Sequence, residues 1–237
     1  MLPSAVADQF CELLKPAAKL THSAGLSASH FGGLPILDRD WPRIRNRPLS
    51  LLLVLDLGEL AGIDIGFNLP ASGVLNFFYD AERQPWGFEG FGSSAYAVIY
   101  TPEGTGRVAH APAKTLVFIE VPIDLTQMLT HPQPDHVSIP DPEGDLESEY
   151  EMLDLQLSGP QSPVGCFHRI GGWPTVIQHP LPGIAFDDSE SVVLLQLDSD
   201  LEAGWMWGDS GILYFLIDRR SLDNQDFSNT SVVLQCC

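Results

Sequence analysis

Basic side chains are scarce in this sequence: 12 Lys and Arg stand against 31 Asp and Glu, a formal net charge of −19. So acidic a surface repels phosphate backbones and anionic lipid, which excludes nucleic acid as a partner. Long apolar runs are missing too. No stretch approaches the ~18 residues that a spanning helix needs, so no membrane segment is expected. Residues 1–5 have neither the basic n-region nor the apolar core of a secretory signal, which predicts a cytosolic location. Cysteine is sparse and badly spaced for staples. Cys11 and Cys166 stand alone, reading as small buried hydrophobes, and Cys236 and Cys237 are adjacent, neither a zinc spacing nor a disulfide framework.

Catalytic signatures are absent as well. The seven histidines include no His-x-x-x-His pair, which removes a sequence-local zinc site. No Gly-x-Ser-x-Gly elbow and no Gly-x-Gly-x-x-Gly or Gly-Lys-Ser/Thr phosphate loop occurs, so neither a nucleophile nor a cofactor is predicted. A binding protein without catalysis is the expectation that follows.

What is present is a layout that occurs twice. Gly32-Gly33-Leu34-Pro35 matches Gly171-Gly172-Trp173-Pro174. Residues 51–56, Leu-Leu-Leu-Val-Leu-Asp, match residues 193–198, Val-Leu-Leu-Gln-Leu-Asp, and residues 73–80 match residues 211–218. The offsets of 139, 142 and 138 drift only as short loop insertions would make them. The glycines supply positive φ and the proline fixes the exit, so each copy opens on a turn leading into an extended chain. A near-continuous apolar run at residues 48–57 suits a strand buried on both faces.

The predicted architecture is therefore one α+β domain over residues 1–237, predominantly β. It consists of two intertwined repeats, about 30–121 and about 166–237, related by a pseudo-twofold axis and sharing one core. Separate half-domains would each leave a long apolar face uncovered. Further strands are expected at 95–100, 115–121 and 231–235. Val6, Phe10, Leu13, Leu14 and Ala17 recur at helical spacing, predicting a helix over 4–19 with Pro16 awkward near its end. Residues 124–129 suit a short helix. Leu146, Tyr150, Leu153 and Leu157 predict an amphipathic helix over about 141–158 whose outer face carries Glu143, Asp145, Glu147, Glu149 and Glu151. That face is either solvated or a docking surface for a basic protein partner.

The blocks His168-Arg169-Ile170-Gly171-Gly172-Trp173-Pro174, residues 193–198, Trp207-Gly208-Asp209-Ser210-Gly211 and Asp226-Phe227-Ser228, in this order, resemble the bacterial YwqG-like family. The resemblance runs from about residue 31 onward and implies a β-rich fold of two related halves. It carries no reaction. An association with bacterial toxin systems implies, by analogy alone, an immunity-type role.

Candidate site residues follow from chemistry. Asp56 and Asp198 end equivalent strands; they either form a carboxylate pair, for general acid/base work or for a calcium or magnesium ion, or cap the turns that follow. Trp205 and Trp207 flank Asp209 in a Gly-rich loop where the first copy has Leu69-Pro70-Ala71-Ser72-Gly73. That arrangement either stacks a ring and fixes it with one carboxylate or is a tight turn with core tryptophans. Trp86 and Phe88 in the aromatic loop at 80–94, with Trp173 and His168, complete the candidate ligand set. His30 and His168 precede the glycine pairs at nearly matching positions, where a ring bonded to a turn carbonyl is expected. Arg43, Arg45 and Arg47 share a face if their segment is extended, serving either internal ion pairs or an anionic ligand. Three functions remain: a non-catalytic acidic protein that binds a basic partner, an enzyme or small-ligand binder with a cleft near Trp205, Trp207 and Asp209, or a structural scaffold with no ligand.

Overall fold

The computed structural model describes residues 11–87, 95–133, 167–184 and 190–236. In chain order the strands are β1 (Lys15–His22), β2 (His30–Phe31), β3 (Ile36–Leu37), β4 (Arg43–Ile44), β5 (Arg47–Pro48), β6 (Ser50–Asp56), β7 (Val74–Tyr79), β8 (Tyr96–Thr101), β9 (Arg107–Val108), β10 (Val121–Thr130), β11 (Arg169–Gly171), β12 (Ser191–Asp198), β13 (Ile212–Asp218) and β14 (Thr230–Gln235). A short helix, α1 (Arg219–Asp223), is capped by the Asp218 carboxylate, which accepts from the Ser221 N–H.

Ten strands form one sheet in the order β14-β13-β12-β11-β1-β10-β2-β6-β7-β8. The sheet curls into a nearly closed barrel. Its two end strands are bridged through flanking residues: the Leu234 N–H on β14 donates to the Trp86 carbonyl, and the Tyr100 ring on β8 lies 6.1 Å from that of Phe227, just before β14. Closure of this kind covers edges that would otherwise template aggregation.

Apolar runs explain the central strands. All seven residues of β6 except Asp56 are buried, as is every residue of β12. Both strands carry a register shift, between Leu51 and Leu53 and between Val193 and Leu195. A bulge puts two successive side chains on one face. Leu52 and Leu53 accordingly both enter the barrel core, as do Leu194 and Leu195, beside Phe77, Phe215 and Leu213. The flanking Leu51 and Val54 join Leu37, Trp41, Leu49 and Phe78 in a cluster outside the sheet. Val193 joins Leu181, Ile212, Tyr214 and Leu216 in another. Each outer cluster is roofed by the chain that leaves a glycine pair. Gly32 and Gly171 have φ of 58° and 75°, and a Cβ there would stand 2.2 Å from the Ile119 carbonyl oxygen and 2.4 Å from that of Ile65.

Three expected elements differ. Residues 11–13 are helical, but 15–22 form β1, not the end of a helix. Ala17, Ala18 and Leu20 are buried because β1 lies between β10 and β11 and is hydrogen-bonded on both sides. The ladder outweighs weak local helical spacing, and Pro16 falls outside the stretch paired with β11. Residues 124–129 are likewise not a helix but the body of β10, paired with β1 from Ile123 to Thr130. Residues 115–120 carry no strand; pairing begins at Val121, although Phe118 accepts a hydrogen bond from the Gly33 N–H. The predicted acidic helix, with Glu143, Asp145, Glu147, Glu149 and Glu151, lies outside the described residues.

Candidate functional site

The two tryptophans of the Gly-rich loop belong to the core. Trp205 and Trp207 are buried and stacked, with centroids 5.6 Å apart; Trp205 also meets Phe31 and Phe118 edge-on, and Trp207 meets Tyr79. The Trp205 Nε1–H donates to the Asp198 carbonyl. Asp209 is exposed. Trp173 is buried and donates from Nε1 to the Leu13 carbonyl, with the Lys15 ammonium 3.7 Å above its ring. Trp86 is exposed, and Phe88 lies outside the described residues. The structure therefore groups Trp205, Trp207 and His168, whose ring packs on Phe31 and Trp205, and leaves Asp209 on the surface.

Asp56 and Asp198 both serve turns. Asp56 accepts from the Gly58 N–H at 2.8 Å and Asp198 from the Ser199 N–H at 2.7 Å. Among the described residues no set of three or more His, Cys, Asp or Glu side chains is arranged to hold a metal.

His168 has a partner that sequence reasoning missed. Asp200 Oδ2 is 3.1 Å from His168 Nε2 and 2.6 Å from His22 Nε2, while His22 Nδ1 is 2.9 Å from Glu202. Oδ1 accepts from the Glu202 and Ala203 N–H groups. The Asp198 N–H donates to His168 Nδ1, which assigns the His168 proton to Nε2, facing Asp200. Burial alone raises the Asp200 carboxyl, but the hydrogen bonds from His168, the Ala203 N–H and His22 outweigh it and hold the group well below the usual carboxylate range. The Asp56 N–H, by contrast, donates to Ser29 Oγ and not to a histidine. His30 instead sets Nδ1 3.1 Å from the Gly32 carbonyl. Arg169, beside His168, is buried; burial pulls its guanidinium down to about 10, and it donates to Thr175 and Gln196.

Two open clefts lie on the first half, over the outer cluster. Cleft one, about 760 Å³, is lined by Arg39, Arg43, Arg107, Asp38, Asp40 and Trp41 among others. Cleft two, about 540 Å³, is lined by Ile44, Arg45, Asn46, Arg47, Pro48, Arg83, Ala113 and Lys114. Consecutive residues divide between them, Arg43 with Ile44 and Pro112 with Ala113, so the clefts adjoin. Seven of the chain's 12 basic side chains line these two clefts.

Their placement follows from local structure. Arg43, Arg45 and Arg47 do not share an extended segment, because β4 and β5 form a hairpin that turns at Arg45-Asn46, with Arg45 at φ 55°. Arg47 Nη2 is paired with the buried Asp80, and Arg39 with Asp38 at 2.8 Å. Residues 107–108 are brought alongside by the β3–β9 ladder. The density of arginine at 39–47 was a visible signal in the sequence; Arg83, Arg107 and Lys114 are joined to it only by the fold.

No curated protein matches the chain. A family model, that of a domain of unknown function (DUF1963), matches residues 29–236, and the chain belongs to this family.

Proposed function

We propose that this protein is a ligand-binding protein that holds a small anion in the basic clefts of its first half. The observation that carries the reading is the gathering of seven of 12 basic side chains onto adjoining clefts in a chain of net charge −19. Charge scattered for solubility would be spread over the surface; charge concentrated in a concave site raises the local concentration of an oppositely charged ligand. The test is a melting series at constant ionic strength with phosphate, sulfate, citrate and acetate. At least one anion raises the midpoint, saturation at about 100 times its dissociation constant adding about 2.7 kcal/mol, and Arg43→Ala/Arg107→Ala reduces the rise. No shift with any of them overturns the reading.

A site at Trp205, Trp207 and Asp209 is less favoured, since both indoles are spent on core packing. Recruitment of a basic protein by Glu143–Glu151 rests on the charge balance alone. Cytosolic action fits free thiols at Cys11 and Cys236. The finer likeness to the YwqG-like family rests on the blocks that begin at His168.

We further infer that the chain is an internal duplication whose halves exchange their first strands. The sheet order supports this, since β8-β7-β6-β2-β10 mirrors β14-β13-β12-β11-β1 about the β1–β10 pair. Matched hydrogen bonds support it too: the Leu20 N–H donates to the His168 carbonyl and the Ile123 N–H to the Ser29 carbonyl. In this reading β1 precedes the first copy yet pairs with the second, and β10 does the reverse.

A further inference from the structure

Resting on the anion-binding reading, a more specific statement concerns what the anion is. We propose that cleft two is a phosphoryl-group site, taking a small phosphomonoester whose organic part lies along cleft one. Cleft two is lined by four cations, Arg45, Arg47, Arg83 and Lys114, and by no carboxylate among the described residues. The neighbouring acid, Asp80, is buried and already engaged by Arg47 Nη2. One fork of an arginine satisfies both oxygens of a carboxylate. The three other cations, Arg45, Arg83 and Lys114, suit a group that carries a charge of about −1.5 to −2 and three acceptor oxygens, as a phosphomonoester does.

Two independent observations point to an occupant. The Arg47 Nε is buried and has no hydrogen-bond partner among the described residues. Buried donors are nearly always paired, and a turn of the Arg47 side chain toward a ligand oxygen in the cleft would supply the missing acceptor. The backbone supplies the second. Of the five non-glycine residues at positive φ among those described, Arg45 (55°) and Lys114 (69°) line this cleft, and Gln84 (47°) follows Arg83. Long side chains avoid that conformation, and strain of this sort collects at ligand clamps.

Cleft one offers the complement for an organic part: Asp38, Asp40 and Thr105 as acceptors for hydroxyls, beside Leu37, Val108 and Pro112. The overall negative charge restricts the ligand to a small molecule. A polyanion long enough to leave the clefts meets the acidic remainder of the surface, whereas a phosphomonoester stays within the roughly 10 Å over which the local positive field acts.

The experiment is calorimetric titration of the full chain with inorganic phosphate and with acetate at constant ionic strength. Phosphate binds one-to-one and at least tenfold more tightly than acetate. Arg45→Ala/Lys114→Ala, at two exposed positions, lowers phosphate affinity at least tenfold, while Arg219→Ala/Arg220→Ala leaves it unchanged and both variants melt as the parent does. Glycerol 3-phosphate binds more tightly than inorganic phosphate, as a contribution from cleft one requires; weaker binding overturns that part. Equal affinity for phosphate and acetate overturns the phosphoryl assignment and leaves anion binding standing, and binding that survives the Arg45/Lys114 replacement overturns the location. Binding of neither anion overturns the assignment, while citrate or sulfate still tests the broader reading.

Discussion

The two outer clusters of the sheet are covered by loops that do the same structural work with different chemistry. Over β6 and β7 the cover begins at Leu34 and brings Leu37, Trp41 and Leu49 onto Leu51, Val54 and Phe78. Over β12 and β13 it begins at Trp173 and brings Val176, Ile177 and Leu181 onto Val193, Tyr214 and Leu216. Each cover is pinned to the sheet by side-chain amides or hydroxyls. Asn76 both accepts from the Ile36 N–H and donates to the Ile36 carbonyl, while Gln196 accepts from the Thr175 N–H and Tyr214 donates to the Thr175 carbonyl. Only the first cover carries Arg39, Arg43, Arg45 and Arg47; residues 173–184 contain no Lys or Arg. The difference teaches that the apolar underside is dictated by the sheet while the upper surface is free to acquire a ligand.

Removing the apolar anchor of each cover is the most damaging way to break the comparison. Trp41→Ala costs about 3–5 kcal/mol and Leu181→Ala about 2–4 kcal/mol, read from urea denaturation. At temperatures where both variants remain folded, only Trp41→Ala weakens phosphate binding. Equal loss of binding in both variants would sink the division of labour.

The polar pins differ in a second place. Asp200→Asn, which disturbs the hydrogen bonds from His22 and His168, costs about 2–3 kcal/mol at neutral pH. The folded-state carboxyl of Asp200 is held below its unfolded value, so its contribution is complete above about pH 4 and is lost as the pH falls through the lower folded-state value. Stability of the parent therefore declines below pH 4, and the Asn variant declines less steeply over that window, measurable by denaturation at pH 7, 4 and 3. Asn76→Ala frees both backbone groups of Ile36 and costs about 1–3 kcal/mol. Its discriminating readout is a phosphate affinity that falls even where the protein is fully folded, because the cover that carries the arginines is no longer anchored.

The smallest effect has the opposite sign. Arg45→Gly relieves a positive φ, gaining about 0–1 kcal/mol after the entropy of the added glycine is counted, yet it lowers phosphate affinity. A variant both less stable and equally tight in binding would show that this conformation serves no ligand.

The inner strands were legible in the sequence because Leu51 to Leu55 and Val193 to Leu197 are apolar on both faces, a pattern that demands burial wherever the chain goes. Trp205 and Trp207 were ambiguous, since a tryptophan beside glycines packs a core or greets a ligand with the same local sequence. Asp200 escaped notice because nothing near it in the chain announces His22, 178 residues away. Lys15 to His22 and residues 124–129 do not announce themselves as strands for a related reason: each has weak helical spacing alone and is a strand only when the other lies beside it.

The amino-acid order by itself settled that residues 51–55 and 193–197 are buried strands, that the paired glycines take a positive φ, and that basic residues are few and bunched near residue 43. These are properties of single side chains and their immediate neighbours. Only the tertiary structure decided that β1 and β10 meet at the middle of the sheet, that the Asp56 N–H finds Ser29 while the Asp198 N–H finds His168, and that Arg83, Arg107 and Lys114 join the arginines of the hairpin. Each depends on hydrogen bonds and packing between residues distant in the chain, whose free energy exists only once the sheet has closed.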